Sequence, residues 1–248
     1  SEPDKLLKKA YPDLFFHQPT ARARRATAHR AACCASGVCH LCPIDAKFTV
    51  LNEMSHLYDD PRVTLELEAV VQDVETNGGT AQGVRYMKNR TSSRARGQLV
   101  VLGANALFNP HILLRSGLDH PLLGESLHEQ IAVTATIDLD GVDNFSGSTS
   151  ITGHGYMMYD GPHRAQRAGC LIESWNVPSL RLEQSKWRQR LVLKFMFEDL
   201  PQPHNHVRLD PHNPQRPETV YHHHSAYAQR GIDSLEENLP KLLSSLPI

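Results

Sequence analysis

The stretch QLVVLGANALFNPHILLRSG, residues 98–117, carries the clearest structural signal in the chain. The apolar run from Leu99 to Leu102, ending at Gly103 and Asn105, reads as a strand buried on both faces inside an α/β sheet. A helix is expected over 109–117. Pro110 falls in its first turn, where a missing N–H costs nothing, and Gly117 closes it. A strand, a glycine and a helix N-terminus in that order turn free N–H groups toward one spot, where a cofactor phosphate or ribose can sit. Most such junctions bind nothing, so the pattern needs support from the rest of the chain.

Working outward, RVTLELEAVVQDVE (62–75) alternates, with Val63, Leu65 and Leu67 on one side. The Asn77-Gly78-Gly79 turn joins it to GVRYM (83–87), giving an antiparallel meander over 62–88. Ahead of it, DAKFTVLNEMSHLYDD (45–60) sets Phe48, Leu51, Met54 and Tyr58 at near-helical spacing, with Asp45 as N-cap and Asp59, Asp60 and Pro61 as the stop. On the other side, IAVTATIDL, TSITGHGYMMY, GCLIESW and LVLKFMFE are β-rich and separated by Gly, Pro and Asp loops. They predict an antiparallel sheet of about four to six strands. LPQPHNHVRLDPHNPQRPE (200–218) is proline-rich and extended, and the last segment puts Ile232, Leu235, Leu239, Leu242 and Leu246 on one helical face, kinked at Pro240.

A second focus is CCASGVCHLCP, residues 33–43, which holds four of the five cysteines. Cys34, Cys39 and Cys42 are spaced C-x4-C-x2-C, an iron–sulfur ligand pattern, with Gly37 and Pro43 turning the loop tightly. Zinc is a second reading, through Cys39, Cys42 and His40, although no second pair follows. A structural turn with buried or disulfide-bonded thiols is the third. Cys33 and Cys34, being adjacent, point apart, so the fourth ligand would be Cys33 or the distant Cys170.

With 40% hydrophobic and 21% charged residues among 248, the chain is core-forming, long enough for one large domain or two modest ones. A net charge of −1 gives no reason to expect a nucleic-acid or membrane-surface partner. The basic run ARARRATAHR (21–30) reads as a solvated loop or as a docking surface for an acidic partner. No stretch has the length of a membrane-spanning helix, and the N-terminal residues lack an apolar signal core. Among fifteen histidines, His222–His224 reads as a solvated run and His204 and His206 as loop-shaping residues. His128, His154 and His163 sit near predicted strand ends that could face a substrate. No Ser/His/Asp order or nucleophile elbow supports hydrolase chemistry.

The order of pieces is more telling than any one of them. The cysteine loop running into CPIDAK, then LELEAVVQDVET, VLGANALFNPHILLRSG, LGESLHEQ and EDLPQPHNHVRLDP resemble the glucose–methanol–choline (GMC) oxidoreductases, flavoproteins that oxidise alcohol groups. Within that family the chain most resembles the bacterial FAD-dependent sugar dehydrogenase catalytic subunits. The resemblance implies an α+β chain: residues 1–130 as part of an FAD-binding α/β domain, 131–224 as an antiparallel-sheet substrate domain, and 225–248 as a helix returning toward the FAD domain. It implies FAD contacts at Val71, Gly103, Ala104, Asn105, Asn109 and Pro110. It also implies a cluster, of the three-iron type, with ligands chosen from Cys33, Cys34, Cys39 and Cys42.

The activity implied is hydride transfer from a CH–OH group of an alcohol or sugar to flavin. Electrons would leave through the cluster to a cytochrome or small-subunit partner, in a periplasmic membrane-associated complex. The chain contains neither the GxGxxG clamp nor the family's catalytic histidine segment, so no catalytic residue is assigned in it, and the resemblance implies the middle portion of a longer or completed protein. The reading from another class is a non-catalytic metal-binding or interaction module whose cysteine loop is structural.

Overall fold

A computed structural model describes residues 1–17, 25–34, 42–144, 151–175 and 181–248. In chain order its elements are α1 (Glu2–Ala10), β1 (Phe15–His17), α2 (Val50–Glu53), β2 (Val70–Asn77), β3 (Thr80–Lys88), β4 (Thr91–Arg96), α3 (Asn105–Arg115), β5 (Ile131–Asp138), β6 (Ile151–Met158), β7 (Cys170–Trp175), β8 (Arg190–Phe197), β9 (His206–Leu209), β10 (Pro217–Val220), α4 (Ala226–Asp233) and α5 (Leu235–Leu243). Helices and antiparallel sheets together make the class α+β. The chain forms two compact units, each discontinuous in sequence: Ser1–Asp60 with Gln130–Asp199 and Ala226–Ile248, and Pro61–Glu129 with Leu200–Ser225. Residues 200–225 thus group with 61–129 and not with the strands of 131–199.

The first unit is built on an antiparallel sheet in the order β1-β6-β7-β8-β5. Strict alternation in β8 turns Leu191, Leu193, Phe195 and Phe197 to one face, where they are buried. Register continues that face into β7, with Cys170 opposite Phe197 and Ile172 opposite Phe195. Leu7 of α1, Leu235 and Leu242 of α5 and Leu246 join the same core, as the terminal periodicity predicts, with Pro240 lying inside α5. Two glycines permit the closest approaches. A Cβ on Gly231 of α4 would stand 2.8 Å from the Ala168 side chain, and one on Gly153 would stand 2.4 Å from the Phe15 ring. Glu198, just past β8, joins four pieces of the unit. Its carboxylate accepts from Arg164 Nε (3.1 Å) and Nη2 (2.7 Å), from Gly169 N (3.0 Å) and from Tyr227 Oη (2.9 Å).

In the second unit β2, β3 and β4 form the meander, one strand longer than 62–88 predicts, turning at Gly78 and Gly79, both at positive φ. α3 packs against β2, β9 and β10. Ser116 ties its C-terminus to β2: Oγ accepts from Val74 N (2.8 Å) and donates to Ile112 O (2.6 Å). The helix then ends on Gly117 at φ 72, with Gly117 N bonded to Leu114 O and Leu118 N to Leu113 O, a paired C-terminal closure that glycine permits.

Several expectations change. Residues 98–104 form no strand, and Leu99 and Val101 are 79% and 80% exposed; among the described residues no neighbouring strand offers this run a ladder. Val63, Leu65 and Leu67 precede β2 and are exposed. α3 begins four residues earlier than expected, at Asn105, whose side chain accepts from Leu107 N and Phe108 N, so Pro110 lies inside the helix. α2 is capped by Thr49, not by Asp45, through a reciprocal pair with Asn52. The three-residue strand β1, at one edge of the large sheet, had no period long enough to announce it.

Candidate functional site

The junction 98–105 and the meander enclose a cavity of about 620 Å³ within the second unit. β2 and β3 supply Val71 and Val84 to its wall, the extended run supplies Leu99 to Ala104, and α3 supplies Phe108, His111 and Arg115. Of the six residues singled out from the sequence for cofactor binding, Val71, Gly103 and Ala104 line this cavity, while Asn105, Asn109 and Pro110 stand outside the lining. Asn109 acts one step removed. Its Oδ1 accepts from Ala104 N (2.8 Å) and its Nδ2 donates to Leu102 O (3.4 Å), which fixes the backbone of the lining run.

The wall is chiefly apolar, with Arg96 and Arg115 among its polar members. Arg115 donates to Gln72 Oε1 at 2.7 Å, and burial draws its pKa below the usual arginine value. His111 is buried, its Nε2 3.1 Å from Pro214 O. Arg96, Phe108, His111 and Arg115 were not singled out from the sequence, because nothing in the spacing shows that α3 and β4 border one space. A Cβ on Gly103 would meet nothing within 4 Å, so a ligand can approach this backbone. The arrangement suits a planar heteroaromatic ring on apolar walls with an anionic tail near arginine. The ADP portion of FAD fits that description.

The cysteine site is described in part, since Cys39 lies outside the described residues, as do Arg22 and Arg24 of the basic run. Cys33 and Cys34 are exposed and Cys42 is half-buried. Cys42 Sγ accepts from Ala46 N at 3.3 Å, and N–H groups from Ala46 and then Ile44 hold the thiol below its usual pKa. Cys170, the alternative fourth ligand read from the sequence, is wholly buried in the core of the large sheet, and burial pushes its thiol up to about 12. Among the described residues no group of three or more His, Cys, Asp or Glu side chains is arranged to hold a metal ion.

The three histidines considered as substrate contacts do not share one place. His128, its Nδ1 2.9 Å from Ser126 O, lines a second cavity of about 540 Å³ in the second unit, with Leu107, Glu129, Tyr221 and His224. In the first unit, His154 lies in β6 opposite Phe16 and Glu173, and His163 Nε2 meets Met158 O at 3.2 Å.

Residues 15–132 match the family described as GMC oxidoreductase. A C-glycoside 3-oxidase from Arthrobacter globiformis is 31% identical over 106 residues, which is 42% of this chain and 20% of that protein. The chain therefore spans about a fifth of the length of this relative. Among solved structures it resembles pyridoxine 4-oxidase from Mesorbium loti, with a TM-score of 0.49 and 17% identity over 72% of this chain and 40% of that one. No described helix is long and apolar enough to cross a membrane. The matched region contains Val71, the 98–105 junction and Asn109–Pro110, and over it the chain is similar to the GMC oxidoreductases, a family that binds FAD.

Proposed function

We propose that this chain is part of an FAD-dependent oxidoreductase that oxidises a CH–OH group of an alcohol or a sugar. The observation that carries the reading is the convergence of Val71, Gly103 and Ala104 on one apolar cavity inside the family-matched region. Bound FAD would supply the hydride acceptor. The chain's own residues would seat the adenosine end: Val71 and Ala104 through backbone and apolar contact, Gly103 by leaving the approach open, and Asn109 by holding the loop at Leu102 and Ala104. Arg96 and Arg115 would favour the anionic tail. In the same reading, the unit holding the large antiparallel sheet carries the substrate side. The test is flavin assay of the purified full-length protein; FAD retained by wild type and lost from Val71→Arg at unchanged fold supports the reading, and a flavin-free wild type overturns it.

The cysteine loop belongs to this proposal as an electron exit. Ligands would come from Cys33, Cys34, Cys39 and Cys42 to an iron–sulfur cluster, with a cytochrome or small subunit as acceptor. The support is local: N–H groups of residues 44–46 face Cys42 Sγ and stabilise a thiolate there. Iron and acid-labile sulfide that disappear in Cys34→Ser and Cys42→Ser are expected. Unchanged iron in both variants would leave the loop a structural turn, and with flavin also absent the reading would pass to a non-catalytic metal-binding or interaction module.

A further inference from the structure

Histidines that the sequence spreads over residues 204–224 meet in space. His206 pairs with Val220 in the β9–β10 ladder, and continuing that register by two residues sets His204 beside His222. The His204 ring centroid lies 5.5 Å from that of His222 and 4.7 Å from that of His223. The buried Asn205 holds the two segments together: its Oδ1 accepts from His222 N (2.9 Å) and its Nδ2 donates to His223 O (3.1 Å). The rings are therefore carried on a cross-linked backbone.

Two ring nitrogens give the cluster a chemical direction. His204 Nε2 is buried without a hydrogen-bond partner among the described residues, an arrangement that costs free energy unless something meets it. His223 Nδ1 lies 2.8 Å from His224 O. A carbonyl only accepts, so Nδ1 carries the proton and Nε2 keeps its lone pair. A ring N–H given to a backbone carbonyl with the other nitrogen left as donor is the orientation metal-ligating histidines adopt. Imidazole nitrogen favours zinc-type divalent transition ions over the hard ions calcium and magnesium.

We propose that His204 and His223 form a two-ring chelate for a divalent transition-metal ion of the zinc class. Among the described residues no three such groups are arranged to hold one ion, so the protein supplies two ligands. Water completes the coordination. The bound ion would join the residues before β9 to those after β10, a link independent of flavin and of the cysteine loop.

The experiment is zinc titration calorimetry on the full chain carrying Cys33→Ser, Cys34→Ser, Cys39→Ser and Cys42→Ser, which removes thiolate competition from that loop. One equivalent of zinc is expected. His204→Gln and His223→Gln should each weaken it at least tenfold, while His120→Gln and a millimolar excess of magnesium should leave it unchanged. His223 is exposed, so its replacement tests the site even if His204→Gln fails to fold. Absence of stoichiometric zinc, unchanged affinity in His223→Gln, or equal loss in His120→Gln overturns the proposal.

Discussion

Glu198 shows how one carboxylate can set the acid limit of a unit. Its burial alone would raise its pKa, but the Gly169 N–H, the Arg164 guanidinium and the Tyr227 hydroxyl outweigh that and hold it below the usual value. The folded state therefore releases this proton more readily than the unfolded chain. The stabilisation is complete above the unfolded pKa and is lost as pH falls through the folded one. Glu198→Gln should lower stability near pH 7 by on the order of 1 kcal/mol, the side chain being partly solvent-screened, with the difference from wild type shrinking below about pH 4.5. Urea unfolding at pH 7 and pH 3.5 checks this, and an equal gap at both would sink it. Cys170 gives a chemical counterpart: with its thiol held near 12, iodoacetamide at pH 8 should leave it unmodified until the protein is denatured. Such residues are poorly legible in sequence. Glu198 reads as one more charge after a strand, and Cys170 as a spare ligand, until register places the first beside Arg164 and the second opposite Phe197. Val71 and Gly103, which a family pattern marks, line the cavity wall, as does Arg115, which lies in an ordinary helical run and carries no such mark.

Elements were readable where they satisfy themselves locally. β5, β7 and β8 keep period two, and the terminal helices keep their apolar stripe, so one buried face fixes each register. The stretch 98–104 has an equally strong pattern and forms no strand, because ladder partners are a property of the sheet, not of the segment. The helix after it starts early since Asn105 satisfies the N–H groups of Leu107 and Phe108, and that cap outweighs the expectation that proline marks the first turn. Close packing of α4 on the sheet leads to a mutational expectation. A side chain on Gly231 must push against Ala168 and Phe197 at 2.8 and 3.1 Å, so Gly231→Val should cost about 1–3 kcal/mol through overpacking. Gly78→Ala, in the β2–β3 turn with nothing within 4 Å, should suffer only the smaller strain of its positive φ. Thermal unfolding of the two variants should rank them in that order; a milder effect at Gly231 would mean that α4 can move off the sheet.

At the scale of the whole molecule the chain order misleads. Leu127 N bonds Asn205 O at 2.8 Å, Val207 N bonds Gly124 O at 2.7 Å, and Glu125 bridges His206. A segment 80 or so residues downstream thereby completes the unit that holds the cavity, which no local pattern in 200–218 announces. Once that unit is assembled, the proposed cofactor binding and stability become separable at Gly103. Its backbone does not require glycine by φ, and a Cβ there meets nothing within 4 Å. The residue nevertheless lines the cavity wall. Gly103→Val should therefore keep the melting temperature of the flavin-free protein within about the shift expected of a surface change, roughly ±0.5 kcal/mol. The added methyl groups would occupy space a bound adenosine needs, so FAD retention should fall at least tenfold, about 1.4 kcal/mol of binding free energy. Asn109→Ala is the complementary variant. It removes the hold on Leu102 and Ala104, so stability and FAD retention should fall together, each by about 1 kcal/mol. Flavin titration and thermal melts of both variants give four numbers. Full FAD affinity in Gly103→Val would move the cofactor off this wall, whereas a loss in both variants that tracked stability alone would reduce the cavity to a packing feature.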